Sequence, residues 1–131
     1  LNIAIVVSEF NDKVTSRMLE VALEKAKSLK LNVKFTCKVP GVFDMPLIID
    51  TLLEKKEVDG VVALGTKHDE LIANATVTRL TKLSLKHKKP VSLGITGPGI
   101  EERQAYARIR PVSERAIEAV MKISEELEKI R

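Results

Sequence analysis

The stretch Val39-Pro40-Gly41-Val42-Phe43-Asp44-Met45-Pro46 has the composition of a binding wall. Two prolines and a glycine fix the path of the chain, and between them stand a large ring, Phe43, and a carboxylate, Asp44. A plain connection would not need a phenylalanine there, whereas a pocket that holds an apolar ring beside a polyol would; structural prolines and a buried Phe are the competing reading. Asp44 suits hydroxyl donors, its competing role being a turn or helix-start carboxylate ahead of Pro46. Phe10, between Glu9 and Asn11, is a second ring at the end of an apolar run. There it either caps the core or stacks on a planar heterocycle, a contact worth on the order of 1 kcal/mol beyond burial.

Other residues suit proton and anion chemistry. A histidine such as His68, flanked by Lys67 and Asp69, can move protons during carbonyl–amine condensation, or else is an exposed residue near a helix start. His87, inside Lys86–Lys89, reads as a surface residue. Gly94-Ile95-Thr96-Gly97-Pro98-Gly99 offers backbone N–H groups to an anion, though it lacks the Gly-Lys-Ser/Thr ending of a P-loop. Arg108, Arg110 and Arg115 gather around Pro111, as a phosphate site or as a solvated helix junction. The sequence holds no metal-ligand cluster, no Gly-x-Ser-x-Gly and no dinucleotide fingerprint.

The elements that must position these groups follow from periodicity. Residues 3–8 are a continuous apolar run, as in a strand covered on both faces. Helical spacing follows over 14–30, and residues 33–39 then alternate as a half-exposed edge strand. A short helix is predicted over 46–56 with Pro46 in its first turn. A strand over 58–64 and a helix over 69–87 come next, then a strand over 91–96. A short helix over 100–108 ends before Pro111, and a last helix occupies 112–130. The order βαβαβαβαα predicts one α/β domain over residues 1–131: a doubly wound parallel sheet in the order 2-1-3-4, with strand 2 at an edge, three buried strands and helices on both faces. Ligands of such sheets bind beyond the carboxyl ends of the strands. Those ends are 8–11, 40–44, 65–69 and 94–100, where two of the three phenylalanines and one of the two histidines fall.

Bulk properties narrow the classes. The chain has 131 residues, 44% hydrophobic and 31% charged, with a net charge of +4, ordinary for a folded globular domain. Its lysines alternate with glutamates and there is no aromatic–basic interleaving, so nucleic acid is not an expected partner, whereas a phosphorylated small molecule suits the mild positive balance. No apolar run approaches the ~20 residues of a membrane span, and no basic region precedes the first strand as in a secretory leader. The lone Cys37 excludes an internal disulfide, and a cytoplasmic location is expected.

Together these pieces resemble the lumazine synthases of riboflavin biosynthesis, particularly their archaeal form. The landmarks are Ser8-Glu9-Phe10-Asn11, Val39 to Pro46, Ala63-Leu64-Gly65, His68, Pro90 to Gly99 and Gln104 to Arg108, in family order over nearly the whole chain. The resemblance implies a flavodoxin-like three-layer fold. It implies a transferase that condenses 5-amino-6-ribitylamino-uracil with 3,4-dihydroxy-2-butanone 4-phosphate to 6,7-dimethyl-8-ribityllumazine, releasing phosphate and water, without metal or redox cofactor and largely by positioning. Carried over by motif, Phe10 stacks on the pyrimidine and Asn11 lies beside it. Gly41, Val42, Phe43 and Asp44 line the ribityl site, with Asp44 where many members have Glu. His68 transfers protons. Leu93 takes a place that is often Phe, next to Gly94. Arg108, Thr66 and Arg115 hold phosphate, Arg115 with one residue less spacing than the family lysine it matches. Leu93, Arg108 and Arg115 belong to the neighbouring subunit in the family, so the resemblance implies a homo-oligomer, a pentamer or an icosahedral shell of pentamers.

One departure bears on the phosphate. The family has a longer loop of the form Val-Ile-x-Gly-Glu-Thr before its histidine, whereas Gly65-Thr66 here runs straight into Lys67-His68, about six residues shorter on the family comparison. Losing the phosphate loop while keeping its histidine makes poor chemical sense. The expectation is therefore a longer loop in the natural chain and an intact mass above the 14.5 kDa of this sequence. With a true deletion, Lys67 partly replaces the lost donors. The alternatives are an archaeal-type riboflavin synthase, which would need no phosphate-directed Arg108; a non-catalytic lumazine- or flavin-binding shell protein, which a true deletion favours; and a flavodoxin-like signalling module, for which Glu9 alone at the end of strand 1 is a poor match.

Overall fold

A computed structural model of the chain describes residues 1–67, 69–96 and 102–131. Its elements are β1 (Asn2–Ser8), α1 (Asp12–Ser28), β2 (Asn32–Val39), a single 3₁₀ turn (Val42–Asp44), α2 (Met45–Leu53), β3 (Gly60–Thr66), α3 (Glu70–His87), β4 (Val91–Thr96) and α4 (Glu102–Ile130). The four strands pair in parallel in the order β2-β1-β3-β4.

Alternation along the strands divides the core into two layers. Ile3, Ile5, Val7, Val62 and Leu64 point to one face and pack on Val14, Met18 and Val21 of α1 and on Ala116, Ile117 and Val120 of α4. Ala4, Val6, Val61 and Ala63 point to the other and pack on Met45, Ile49 and Leu53 of α2 and on Leu80 and Leu83 of α3. Both faces of β1 and β3 are thus covered, which is why those strands are apolar without interruption. β2 lies at an edge and its residues alternate between exposed and half-buried.

β4 corrects the expectation of three fully buried strands: it is the opposite edge, and its pattern is inverted. Ser92, Gly94 and Thr96 are buried beneath α4, whereas the larger Val91, Leu93 and Ile95 are only half-buried, because α3 packs chiefly on α2. A side chain at Gly94 would stand 2.7 Å from Leu64 Cδ2 and 3.2 Å from Ala116 Cβ, so the glycine admits α4 onto the sheet.

The predicted break at Pro111 does not occur. One helix of 29 residues runs through it. Proline removes a hydrogen bond to the carbonyl of Ala107, a cost of about 3 kcal/mol in a helix interior. Here Ala107 and Pro111 both face solvent, so water can serve that carbonyl. The helix is held on both sides of the proline, by Ile109 against the α1 layer and by Ala116, Ile117 and Val120 on the core.

Candidate active site

The carboxyl ends of β1, β2 and β3 meet in one place. Glu9 N–H donates to Val39 O at 2.7 Å and Phe10 N–H to Pro40 O at 3.0 Å, which ties the loop after β1 to the loop after β2. Asn11 then turns the chain into α1 with φ 61°, a left-handed conformation that asparagine tolerates. The second loop is closed on itself: Gly41 N–H donates to Asp44 Oδ2 at 3.0 Å, and Asp44 N–H to Gly41 O at 3.0 Å. This reciprocal bond holds Phe43 outward, 66% exposed, and uses only one carboxylate oxygen. Asp44 therefore fulfils both of its competing roles: it braces its turn and still presents an acceptor to the site.

Beyond β3, Thr66 Oγ1 donates to Phe10 O at 3.4 Å, and Lys67 N–H donates to Thr96 O at 2.8 Å, continuing the pairing with β4. Asp69 caps α3 by accepting from Leu71 N–H at 2.9 Å and Ile72 N–H at 3.1 Å. The result is a cavity of about 250 Å³ lined by Phe10, Pro40, Gly41, Val42, Phe43, Asp44, Thr66, Lys67, Asp69, Ile72 and Ala73. Pro40, Phe43 and Asp44 also wall a larger groove of about 740 Å³, which continues past Leu47 and Ile48 of α2 to Thr76 and Arg79 of α3. A mostly apolar cavity with a ring, a carboxylate and a cation on its walls suits a planar polar heterocycle with a hydroxylated tail.

Of the residues expected at the site, Phe10, Gly41, Val42, Phe43, Asp44 and Thr66 share this cavity. Asn11 is the pivot into α1 rather than a lining residue. Leu93 sits in β4 on the α2–α3 side, and Gly94 is sealed under α4. Arg108 and Arg115 are exposed on α4, in the opposite layer. Seven residues apart, they lie on one flank of that helix at ~100° per residue, and Arg110 lies on the other, 3.9 Å from Glu24 and 3.7 Å from Glu114. The expected three-arginine cluster is therefore a pair. His68 and Gly97–Ile100 lie outside the described residues. His87 is no surface residue: its side chain is 11% exposed and its Nε2 lies 2.6 Å from Asp50 Oδ1, at the opposite end of the sheet. That hydrogen bond is the main reason the Asp50 carboxyl lies below its ordinary range.

Sequence reasoning named Lys67 only as a stand-in for lost phosphate donors and missed Asp69, Ile72 and Ala73 as wall residues. Lys67 and Asp69 flank the histidine within a strand-end loop, and Ile72 and Ala73 are the inward positions of the helix that starts there; that placement was the available signal.

The family described as 6,7-dimethyl-8-ribityllumazine synthase matches residues 1–131. A 6,7-dimethyl-8-ribityllumazine synthase of Sulfolobus acidocaldarius is 47% identical, the match covering all of this chain and 87% of the relative. Relatives of the same name from Pyrobaculum arsenaticum and Saccharolobus solfataricus are 43% and 46% identical, covering 100% and 99% of this chain and 91% and 88% of their own lengths. The Sulfolobus alignment runs over 137 positions against the 131 residues here, so six of its positions have no counterpart in this chain. With the match running from end to end, the chain belongs to the 6,7-dimethyl-8-ribityllumazine synthase family.

Proposed function

We infer that the cavity at the carboxyl end of the sheet is where this chain performs the reaction of its family. It is a transferase of riboflavin biosynthesis and condenses 5-amino-6-ribitylamino-uracil with 3,4-dihydroxy-2-butanone 4-phosphate to 6,7-dimethyl-8-ribityllumazine. The riboflavin synthase and shell-protein alternatives are not favoured by a family match over the whole chain.

The observation that carries the site assignment is the convergence of Phe10, Gly41, Val42, Phe43, Asp44 and Thr66 from three separate loops on one cavity. In this reading Phe10 stacks on the pyrimidine, worth about 1 kcal/mol beyond burial. Phe43 and Asp44 receive the ribityl chain, the Asp44 carboxylate accepting from its hydroxyls, and His68 moves protons between the amine and the carbonyl oxygen. Holding two reactants in attack geometry supplies most of the acceleration.

The cavity is one-sided within a single chain, and this supports a homo-oligomer in which Leu93, Arg108 and Arg115 of a second copy complete it. Leu47 is 74% and Leu71 80% exposed beside the equally bare Phe43, an apolar rim suited to a subunit contact. The half-covered Val91, Leu93 and Ile95 of β4 are a second such surface. Among the described residues no helix is long and apolar enough to cross a membrane; the lone half-buried thiol of Cys37 suits the reducing cytoplasm.

The test is to mix the purified protein with both substrates and follow the fluorescent lumazine against the uncatalysed reaction. Clear acceleration is expected. Tight binding of the pyrimidine without acceleration would overturn the catalytic reading and leave a binding role.

A further inference from the structure

We propose that Lys67 selects the phosphorylated substrate, exchanging its ion pair with Glu70 for the phosphate dianion. The proposal rests on the condensation reading of the cavity and adds to it a residue and a mode of recognition.

Several backbone donors around the cavity are already used. The Leu71 and Ile72 N–H groups, which would make the start of α3 an anion site, donate to Asp69. Gly41 N–H donates to Asp44, and Lys67 N–H to Thr96 O. The Thr66 hydroxyl is turned to Phe10 O. Among the described wall residues the charged side chains are Asp44, Asp69 and Lys67, two carboxylates and one cation. A dianion entering this cavity is repelled by both acids, and of these three described charges Lys67 is the one that attracts it.

Lys67 is also held in a way that makes exchange easy. Its side chain is 23% exposed, with Nζ 3.1 Å from Glu70 Oε2, and the Glu70 side chain is 62% exposed. Ion pairs with so exposed a partner contribute little, because water and salt screen them. A phosphate offers more negative charge and three acceptor oxygens. Replacing Glu70 by phosphate is therefore downhill, and the released glutamate returns to solvent.

The experiment measures KM for each substrate separately in the intact protein and in Lys67→Met, Lys67→Arg and Glu70→Gln. Inorganic phosphate binding is titrated alongside by calorimetry. Lys67→Met should raise KM for the phosphorylated butanone about tenfold or more and leave KM for the pyrimidine nearly unchanged. Lys67→Arg should retain most of the affinity, and Glu70→Gln should lower the butanone KM severalfold by releasing the lysine. Phosphate affinity should follow the same order. Equal losses for both substrates in Lys67→Met, or phosphate affinity indifferent to it, would overturn the proposal. Absence of turnover in the parent protein would count against the condensation reading alone, since the phosphate titration still decides the part played by Lys67.

Discussion

The two ends of the sheet are built on opposite principles. At the amino end, polar groups are spent on one another. Asn2 N–H donates to Asp59 Oδ2, Asn32 Nδ2 to Asn2 Oδ1, and Lys89 Nζ to the carbonyls of Leu53 and Lys55, while His87 is paired with Asp50. At the carboxyl end, Phe10 is partly and Phe43 largely exposed, and the buried hydroxyls of Ser8 and Thr96, at the ends of β1 and β4, have no hydrogen-bond partner among the described residues. Buried polar groups without partners cost free energy and in native proteins concentrate at functional places. The amino end is satisfied for stability; the carboxyl end, though its loops are tied to one another, turns an exposed ring and a spare Asp44 carboxylate oxygen toward its cavity.

β3 makes this contrast testable, because it starts with Gly60 at one end and has Gly65 near the other. The largest expected effect is chemical: His68→Ala should lower kcat by about 10²-fold with little change in thermal stability, and retention of full turnover would remove its proton-transfer role. Next comes Gly60→Ala. The new methyl would stand 2.7 Å from Val120 Cγ2 and 3.2 Å from the Pro90 carbonyl, and should lower unfolding free energy by about 1–3 kcal/mol in denaturant titrations without altering substrate KM. Gly65→Ala should behave differently. Its methyl would meet Ser8 Oγ and come within 3.2 Å of Val42, a wall of the cavity, so pyrimidine affinity should fall along with stability. If both glycine variants lose only stability, the division between the ends is wrong.

The smallest effect belongs to Asp50→Asn. The Asp50 carboxyl is held below its ordinary value of 3.8 chiefly by the hydrogen bond from His87, with help from Lys86. A depressed carboxyl contributes stability that is complete above its unfolded value and is lost as pH falls through the folded one. The variant should therefore lose stability at neutral pH and show a shallower decline in acid unfolding below about pH 4, with turnover untouched.

Much of this contrast was legible in the sequence, but unequally. The unbroken apolar runs of β1 and β3 and the alternation of β2 determine which strands are central, and strand order then tells where the loops converge; that is why Phe10, Val42, Phe43 and Asp44 were found. Alternation was read less well in β4. Val91-Ser92-Leu93-Gly94-Ile95-Thr96 has a period of two, but the small residues face inward because α4 approaches too closely for larger ones, and only tertiary packing reveals that. Pro111 misled for the same reason: the proline rule is local, and what carries the helix through it is anchorage on both sides. The His87–Asp50 pair joins residues 37 apart and left no local signature.

The uninterrupted α4 has a mechanical consequence. At 1.5 Å per residue its 29 residues make a rod of about 43 Å. The seven residues of β3 span only about 23 Å. The rod is riveted where Val112 and Ala116 meet Gly94, where Val120 meets Gly60 and where Ile109 joins the core, so only the turns before Ile109 run past its rivets as a cantilever. A cantilever transmits displacement: a push on its tip is felt at the rivets, and the tip delivers its cations at a reach no loop of similar length could hold steady. Pro111 lies between the rivets at Ile109 and Ala116, so the beam is clamped where a proline would otherwise let it flex.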